Sequence, residues 1–198
     1  PNWWNIYGLG QLGKVEGLVY PYFEQVDALP VGDVFYGLDF GFLVDPSALV
    51  ANVLLGDKLY SKELLYETGL TNDEIARNMD LLGIRQNYDE IWADADEPKS
   101  IEEIHLLGFN IKPGVKGPGS VEYSHQKVNQ CVQFWTKDSI NCIKEQRNFR
   151  YIRDKDGKLT EKTTHQFSHG MSARRYAVAS YMPKVGRMPK IRKAAWRF

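Results

Sequence analysis

Tyr36-Gly37-Leu38-Asp39-Phe40-Gly41-Phe42 places one carboxylate inside an apolar, aromatic run, with glycine on either side. Val34, Tyr36, Leu38, Phe40 and Phe42 fall on one face of an extended strand, and Phe35, Gly37, Asp39 and Gly41 on the other. An ionised Asp buried in such a strand is costly unless a positive partner sits beside it, and a divalent cation is one such partner. The competing reading is an Asp that ends the strand at a turn or bulge. Other residues decide between the two.

Working outward, Pro30-Val31-Gly32-Asp33 is a turn into this strand and Asp45-Pro46 a turn out of it. Ala48–Leu55 and Lys58–Glu67 read as two further strands around the hairpin turn Gly56-Asp57, so the domain opens on an antiparallel meander. Thr71-Asn72-Asp73-Glu74 is a capping box ahead of Ile75, Met79 and Leu82, one helical face stopped by Gly83. Glu90–Ala93 is a short buried strand running into Asp94, Asp96 and Glu97. Pro98, Ser100 and Glu103 then start a helix carrying Ile101, Ile104 and Leu107. Asn110–Pro113 is a strand, Gly114–Ser120 a Gly/Pro loop holding Lys116, and Ser120 a cap for a helix to about Val128. Cys131–Trp135 is a strand, and Asp138 or Ser139 caps a helix with Ile140, Ile143 and Glu145. Phe149–Arg153 and Leu159–Lys162 flank the turn Asp154-Lys155-Asp156-Gly157, and Ser168 caps a last helix from His169 to Ser180, before Pro183. A meander followed by alternating β and α argues for an α/β fold, a mixed sheet with helices on both faces.

Composition bounds the classes. The 198 residues, 43% hydrophobic and 25% charged, suit one domain with a real core. No apolar run reaches the roughly 18–20 residues of a membrane span. The start lacks the features of a signal peptide, and beginning at Pro1 rather than Met points to a piece of a longer chain. Cys131 and Cys142 have no metal-ligand spacing and favour a reducing setting. Net charge is zero, but the stretch from Lys184 carries Arg187, Lys190, Arg192, Lys193 and Arg197 with no acid, which suits phosphate or an acidic partner. The division expected is a lead-in at 1–30, a main domain at 31–183 and a basic tail at 184–198.

The order of strands allows the first strand and the one ending at Asp94 to lie side by side and parallel, bringing Asp39 and Asp94 to one sheet edge. Two carboxylates and water are a sufficient start for Mg²⁺ or Mn²⁺, and an imidazole from His169 favours Mn²⁺. Glu145 reads as structural or as a surface pair, and Trp3, Trp4 and Trp135 read as core.

Several stretches together resemble the C-terminal nuclease domain of the large terminase subunit of tailed bacteriophages. Tyr36–Gly41 with Asp45-Pro46-Ser47-Ala48 is similar to that family's first acidic motif, and Asp94–Ile101 to its second. Lys116–Val121 is similar to its lysine loop, Asn141–Glu145 to a helical motif and His169–Ala177 to its closing helix. Tyr7–Gln11 and Gly17–Tyr20 resemble the segment joining its ATPase to its nuclease.

The resemblance implies a ribonuclease H-like fold and Mg²⁺- or Mn²⁺-dependent cutting of concatemeric double-stranded viral DNA during packaging. It further implies an ATPase domain upstream, with portal protein and small terminase subunit as partners in the host bacterial cytoplasm, and no membrane; the isolated domain is expected to be a monomer. No Walker A pattern occurs, so ATP is not expected to be a cofactor of this stretch. Carried over, Asp39 and Asp94 are the metal-binding, catalytic carboxylates and His169 the histidine that opens the last motif. The ligand one helical turn later is an Asp in the family and Ser172 here. Glu97, Asp96 or His165 are candidates to complete the site. Lys116, Glu97, Arg174 and Arg175 are candidates for DNA contact or for support of the ligands. The alternative is a nuclease fold weakened at Ser172 that serves as a DNA- or portal-docking module; a resolvase or integrase would not be expected to carry the lead-in or the closing helix.

Overall fold

The computed structural model describes residues 16–181; residues 1–15, with Trp3 and Trp4, and the basic tail at 184–198 lie outside them. The strands are β1 (Glu24–Val26), β2 (Val34–Asp39), β3 (Ser47–Leu55), β4 (Lys58–Glu67), β5 (Ile91–Ala93), β6 (Ile111–Pro113), β7 (Val132–Thr136), β8 (Tyr151–Arg153) and β9 (Leu159–Thr163). The helices are α1 (Asn72–Leu81), α2 (Pro98–Leu106), α3 (Ser120–Asn129), α4 (Ile140–Asn148) and α5 (His169–Ser180). Seven strands form one mixed sheet in the order β1-β7-β4-β3-β2-β5-β6, while β8 and β9 make a separate hairpin. The meander β2-β3-β4 is antiparallel, and β5 and β7 add to its two sides in parallel.

Each face of the sheet buries a core. On one side Ile75 and Met79 of α1 and Ile101 and Ile104 of α2 pack on Tyr36, Leu38 and Ile91. On the other, Val128 of α3, Ile143 of α4 and Met171, Ala173 and Ala177 of α5 pack on Phe35, Val50 and Trp135. This is the helix-on-both-faces layering expected of the βα alternation.

Two details depart from the sequence reading. The alternation of β2 runs to Phe42, yet the strand stops at Asp39 and Phe42 is 55% exposed. Ser47 closes the intervening loop by accepting from Gly41 N–H and donating to Gly41 O, and a Cβ at Gly41 would lie 2.2 Å from Asp45 O. The serines expected to cap helices do not do so through their side chains. Gly119, at φ 75°, is the cap of α3 in place of Ser120. Glu63 accepts from Cys142 N–H at the start of α4, and Glu145 accepts at the start of α5. Residues before 31 also join the domain: Val19 and Tyr20 are buried in the core, and β1 is the sheet's edge strand, parallel to β7.

Candidate functional site

Asp39 is the last residue of β2, and Asp94 follows β5. The two strands are parallel with Leu38 opposite Ala93, so the next residue of each strand is a carboxylate at the same sheet edge. Asp39 shares its face with Phe35 and Gly37, the face that α5 covers. A Cβ at Gly37 would lie 1.8 Å from Ala173 O, so glycine here is what lets the helix backbone approach the strand this closely. That approach brings His169, the first residue of α5, over the end of β2.

His169 Nδ1 donates to Asp39 Oδ2 at 3.1 Å, and both side chains are nearly buried. Burial pushes the Asp39 carboxyl above its ordinary value; the His169 bond pulls it back, and the charge of Asp94 adds to the rise. The His169 imidazole is pushed up in turn: burial opposes its charge, but the bond to Asp39 together with the charges of Asp39, Glu145 and Asp45 outweighs that. Asp94 is oriented by Tyr176, two helical turns further along the same helix, whose hydroxyl donates to Asp94 Oδ2 at 2.7 Å. Burial and the neighbouring carboxylates hold the Tyr176 hydroxyl in its protonated, donating form by raising its pKa.

The start of α5 is held by Glu145, 1% exposed. Its carboxylate accepts from the N–H groups of His169 (3.0 Å), Gly170 (2.6 Å) and Met171 (3.3 Å), and from Tyr66 Oη (2.8 Å). Three orphan donors of the helix end are thereby satisfied by one side chain. Burial raises the Glu145 carboxyl despite these donors. The structural reading of Glu145 holds, but as a buried clamp rather than a surface pair.

The remaining sequence candidates fall at different depths. Ser172 is half-buried on α5, one turn after His169, and brings a hydroxyl where a carboxylate was expected. Lys116 is exposed and ion-paired to Asp96; its loop is tied to the end of β5 by Gly114 N–H donating to Ala93 O at 2.8 Å. Glu97 is exposed at the start of α2 and accepts from Ser100 Oγ at 3.4 Å. With Asp45, Leu70 and Thr71 it lines a cleft of about 510 Å³ on the Asp45 side of the site. Arg175 donates to Ser124 Oγ at 3.3 Å and stacks on Tyr176 at 4.4 Å. Its charge also favours the ionised form of Asp39.

Arg174 corrects one half of its expected role. Expected as a DNA contact or as support of the ligands, it is 0% exposed, which rules out the contact, and its guanidinium lies over the rings of Tyr20 (4.9 Å) and Trp135 (4.7 Å). Burial lowers its pKa to about 10. The sequence held the signal: Arg174 lies on the Met171–Ala177 stripe of α5, the stripe that faces the core.

One residue near the site was given no site role by the sequence, although it falls in the stretch resembling the first acidic motif. Asp45, read as a turn residue, lies 3.5 Å from His169 Nε2 and 3.8 Å from His165 Nε2.

The architecture and this acidic sheet edge define a ribonuclease H-like domain of the terminase type. A family described as Terminase RNAseH like domain matches residues 39–180, and the chain belongs to it. The chain is 32% identical over 148 residues to the PBSX phage terminase large subunit of Bacillus subtilis (strain 168), across 73% of this chain and 34% of that protein. It thus spans about a third of the length of that curated relative. Among solved structures, the g2p (large terminase) nuclease domain from bacteriophage SPP1 with bound Mn superposes with a TM-score of 0.69 at 25% identity, covering 78% of this chain and 92% of that one. The large terminase nuclease from thermophilic phage G20c with bound magnesium shares the fold, with a TM-score of 0.62 at 17% identity, covering 85% of this chain and 100% of that one.

Proposed function

We propose that this domain is a Mg²⁺- or Mn²⁺-dependent endonuclease that cuts double-stranded concatemeric DNA during phage genome packaging. The observation that carries the reading is the pairing of Asp39 and Asp94 at adjacent ends of two parallel strands. Asp39 is 8% exposed, and its hydrogen-bond partner among the described residues is an imidazole rather than an ammonium or guanidinium group. Two oxygen-donor side chains at one sheet edge, with the charge of Asp94 raising the proton affinity of Asp39, suit a hard divalent cation. The residues present therefore fit the ion that the SPP1 nuclease domain was solved with.

In this reading Asp39 and Asp94 hold the metal, which when bound supplies Lewis-acid stabilisation of the phosphate and a more acidic water. Tyr176 keeps Asp94 in one rotamer, and His169 does the same for Asp39. Arg175 lends positive charge toward the carboxylates and a nearby phosphate. Lys116, once released from Asp96, and Glu97 at the rim are placed to meet the DNA backbone and its counterions. The basic residues from Lys184 onward add sequence-independent attraction to phosphate. The fuller protein would add an ATPase upstream, portal and small-subunit partners, and a bacterial cytoplasmic setting. No helix among the described residues is long and apolar enough to cross a membrane.

Ser172 favours a second reading, a nuclease fold with reduced metal affinity used for DNA or portal docking. Plasmid nicking in Mn²⁺ separates the two. A nuclease nicks as wild type and loses activity in Asp39→Ala. A docking module is inert as wild type, and Ser172→Asp restores cleavage. If wild type and both variants are equally inert while the fold is intact, the endonuclease reading fails.

A further inference from the structure

Phe42, Leu43 and Val44 are three successive apolar side chains turned to solvent, 55%, 81% and 86% exposed. Single exposed apolar residues are ordinary on a protein surface, but a run of three at a loop tip is a feature that folding does not call for. None of the three carries a polar side-chain atom, so their side chains cannot hydrogen-bond to phosphate or to a base edge.

The loop that displays them is braced. It leaves β2 immediately after Asp39 and returns at Asp45, beside His169. Ser47 Oγ accepts from Gly41 N–H at 3.1 Å and donates to Gly41 O at 3.0 Å, and Phe42 O accepts from Gly69 N–H at 2.7 Å. Pro46 stiffens the return. A hydrocarbon tip is thus held on a closed stem rather than on a free loop. Leu43 is four residues beyond Asp39, so the tip lies within about 14 Å of the Asp39 backbone, the most that an extended chain of that length spans.

We propose that Phe42, Leu43 and Val44 form an apolar wedge that enters a groove of duplex DNA beside the scissile phosphate and partly unstacks one base step. The proposal rests on the endonuclease reading for where the DNA lies. A phosphate brought to Asp39 and Asp94 sets the adjoining groove within reach of the tip, the minor groove being only about 6 Å wide. The stacked bases are the apolar surface a duplex offers, and Phe, Leu and similar side chains open base steps by insertion between them. A protein partner is disfavoured by size, because a stable protein interface takes roughly 20–30 residues a side, whereas a wedge needs one or two side chains. The consequence is a preference without base reading: cutting is faster where steps unstack easily, at TA and CA/TG, because a tip with no polar side-chain atoms responds to deformability alone.

The test uses Leu43→Ser/Val44→Ser, two exposed substitutions expected to leave the melting temperature of the protein unchanged. A short duplex with 2-aminopurine at its TpA steps brightens when those bases unstack, and in EDTA at low salt it reads the wedge without any cleavage. With protein in excess, wild type is expected to raise the fluorescence, and the double variant to leave it at the level of free duplex while still binding by anisotropy. No rise with wild type, or an equal rise with both proteins, overturns the proposal. Mn²⁺-dependent nicking is the second readout. The variant is expected to nick fully paired DNA about tenfold or more slowly than wild type, and a mismatch at the cut step is expected to recover most of that loss. A variant that nicks paired DNA as wild type does, or that is equally slow on the mismatched duplex, also overturns the wedge. If wild type unstacks the duplex but nicks nothing, the endonuclease reading fails and the wedge stands.

Discussion

Asp89 and Asp39 are buried to nearly the same degree, 6% and 8% exposed, and are treated in opposite ways. Asp89 is closed off: Arg85 reaches it through Nε and Nη2, and Arg85 N–H donates to Oδ2 at 2.8 Å. Glu145, more deeply buried, is closed off as well, by three backbone N–H groups and a tyrosine hydroxyl. Asp39 has one imidazole and a second carboxylate for company. A fold built for stability alone would not leave it so. The difference separates carboxylates that hold the domain together from one that is held ready for a cation.

The strongest way to break that comparison is at Glu145. Glu145→Ala leaves three helix N–H groups and the Tyr66 hydroxyl without their acceptor, and the expected loss is about 3–5 kcal/mol of stability in urea unfolding. A loss below about 1 kcal/mol would mean that water replaces the clamp, and Glu145 would then belong with Asp39 rather than with Asp89.

A buried base sharpens the same point from the other sign of charge. His125 is 3% exposed, with Nδ1 2.7 Å from Tyr20 Oη. Burial and the charges of Arg175 and Arg174 push its pKa down to about 4, so the fold keeps it neutral. Stability from this residue is complete above the unfolded value of about 6.5 and is lost as pH falls from there toward 4, by about 2–3 kcal/mol. Urea unfolding at several pH values is expected to show this slope in wild type and to show it removed in His125→Gln.

Asp89→Asn comes next. It keeps the shape but removes the charge that Arg85 engages. The guanidinium is half-exposed and partly screened, so the expected loss is about 1–3 kcal/mol, with no effect on metal binding.

The sequence allowed the meander, the βα alternation and the Asp39–Asp94 pairing to be read because each rests on local rules. Alternation marks β2, a near-continuous apolar run marks β3, Gly56-Asp57 marks a hairpin, and a parallel β2–β5 pair must bring the residues after Leu38 and Ala93 to one edge. What escaped depends on contacts across the fold. Asp45 looks like any Asp-Pro turn until Ser47 folds its loop back beneath His169. His165 was named as a candidate to complete the site, but its place beside His169 is set by the turn through Phe167, at φ 67°, which no periodicity announces. Glu145 and Glu63 cap helices from a distance, which no capping motif within the helix can announce. Arg174 was assigned by its charge, whereas its place on the α5 stripe, between Tyr20 and Trp135, puts it in the core.

The smallest expected effect is the most telling, because its sign is reversed. The proton on Asp39 is favoured by folding, since burial outweighs the His169 bond, so ionisation of this carboxyl works against the native state. Its contribution falls as pH rises from its unfolded value of about 3.9 through its higher folded value. His169, raised by Asp39, contributes stability below about 6.5 that fades as pH rises through its own folded value, so at pH 8 little offsets the Asp39 charge. Asp39→Asn keeps an acceptor for His169 Nδ1 and removes that charge. The metal-free variant is therefore expected to melt slightly above wild type at pH 8 and level with it near pH 3. Mn²⁺ should then raise the melting temperature of wild type more than that of the variant, because the variant lacks one of the carboxylates that hold the ion in the native state. An Asn variant that melts lower than wild type without metal would place Asp39 with Asp89, as a carboxylate the fold depends on.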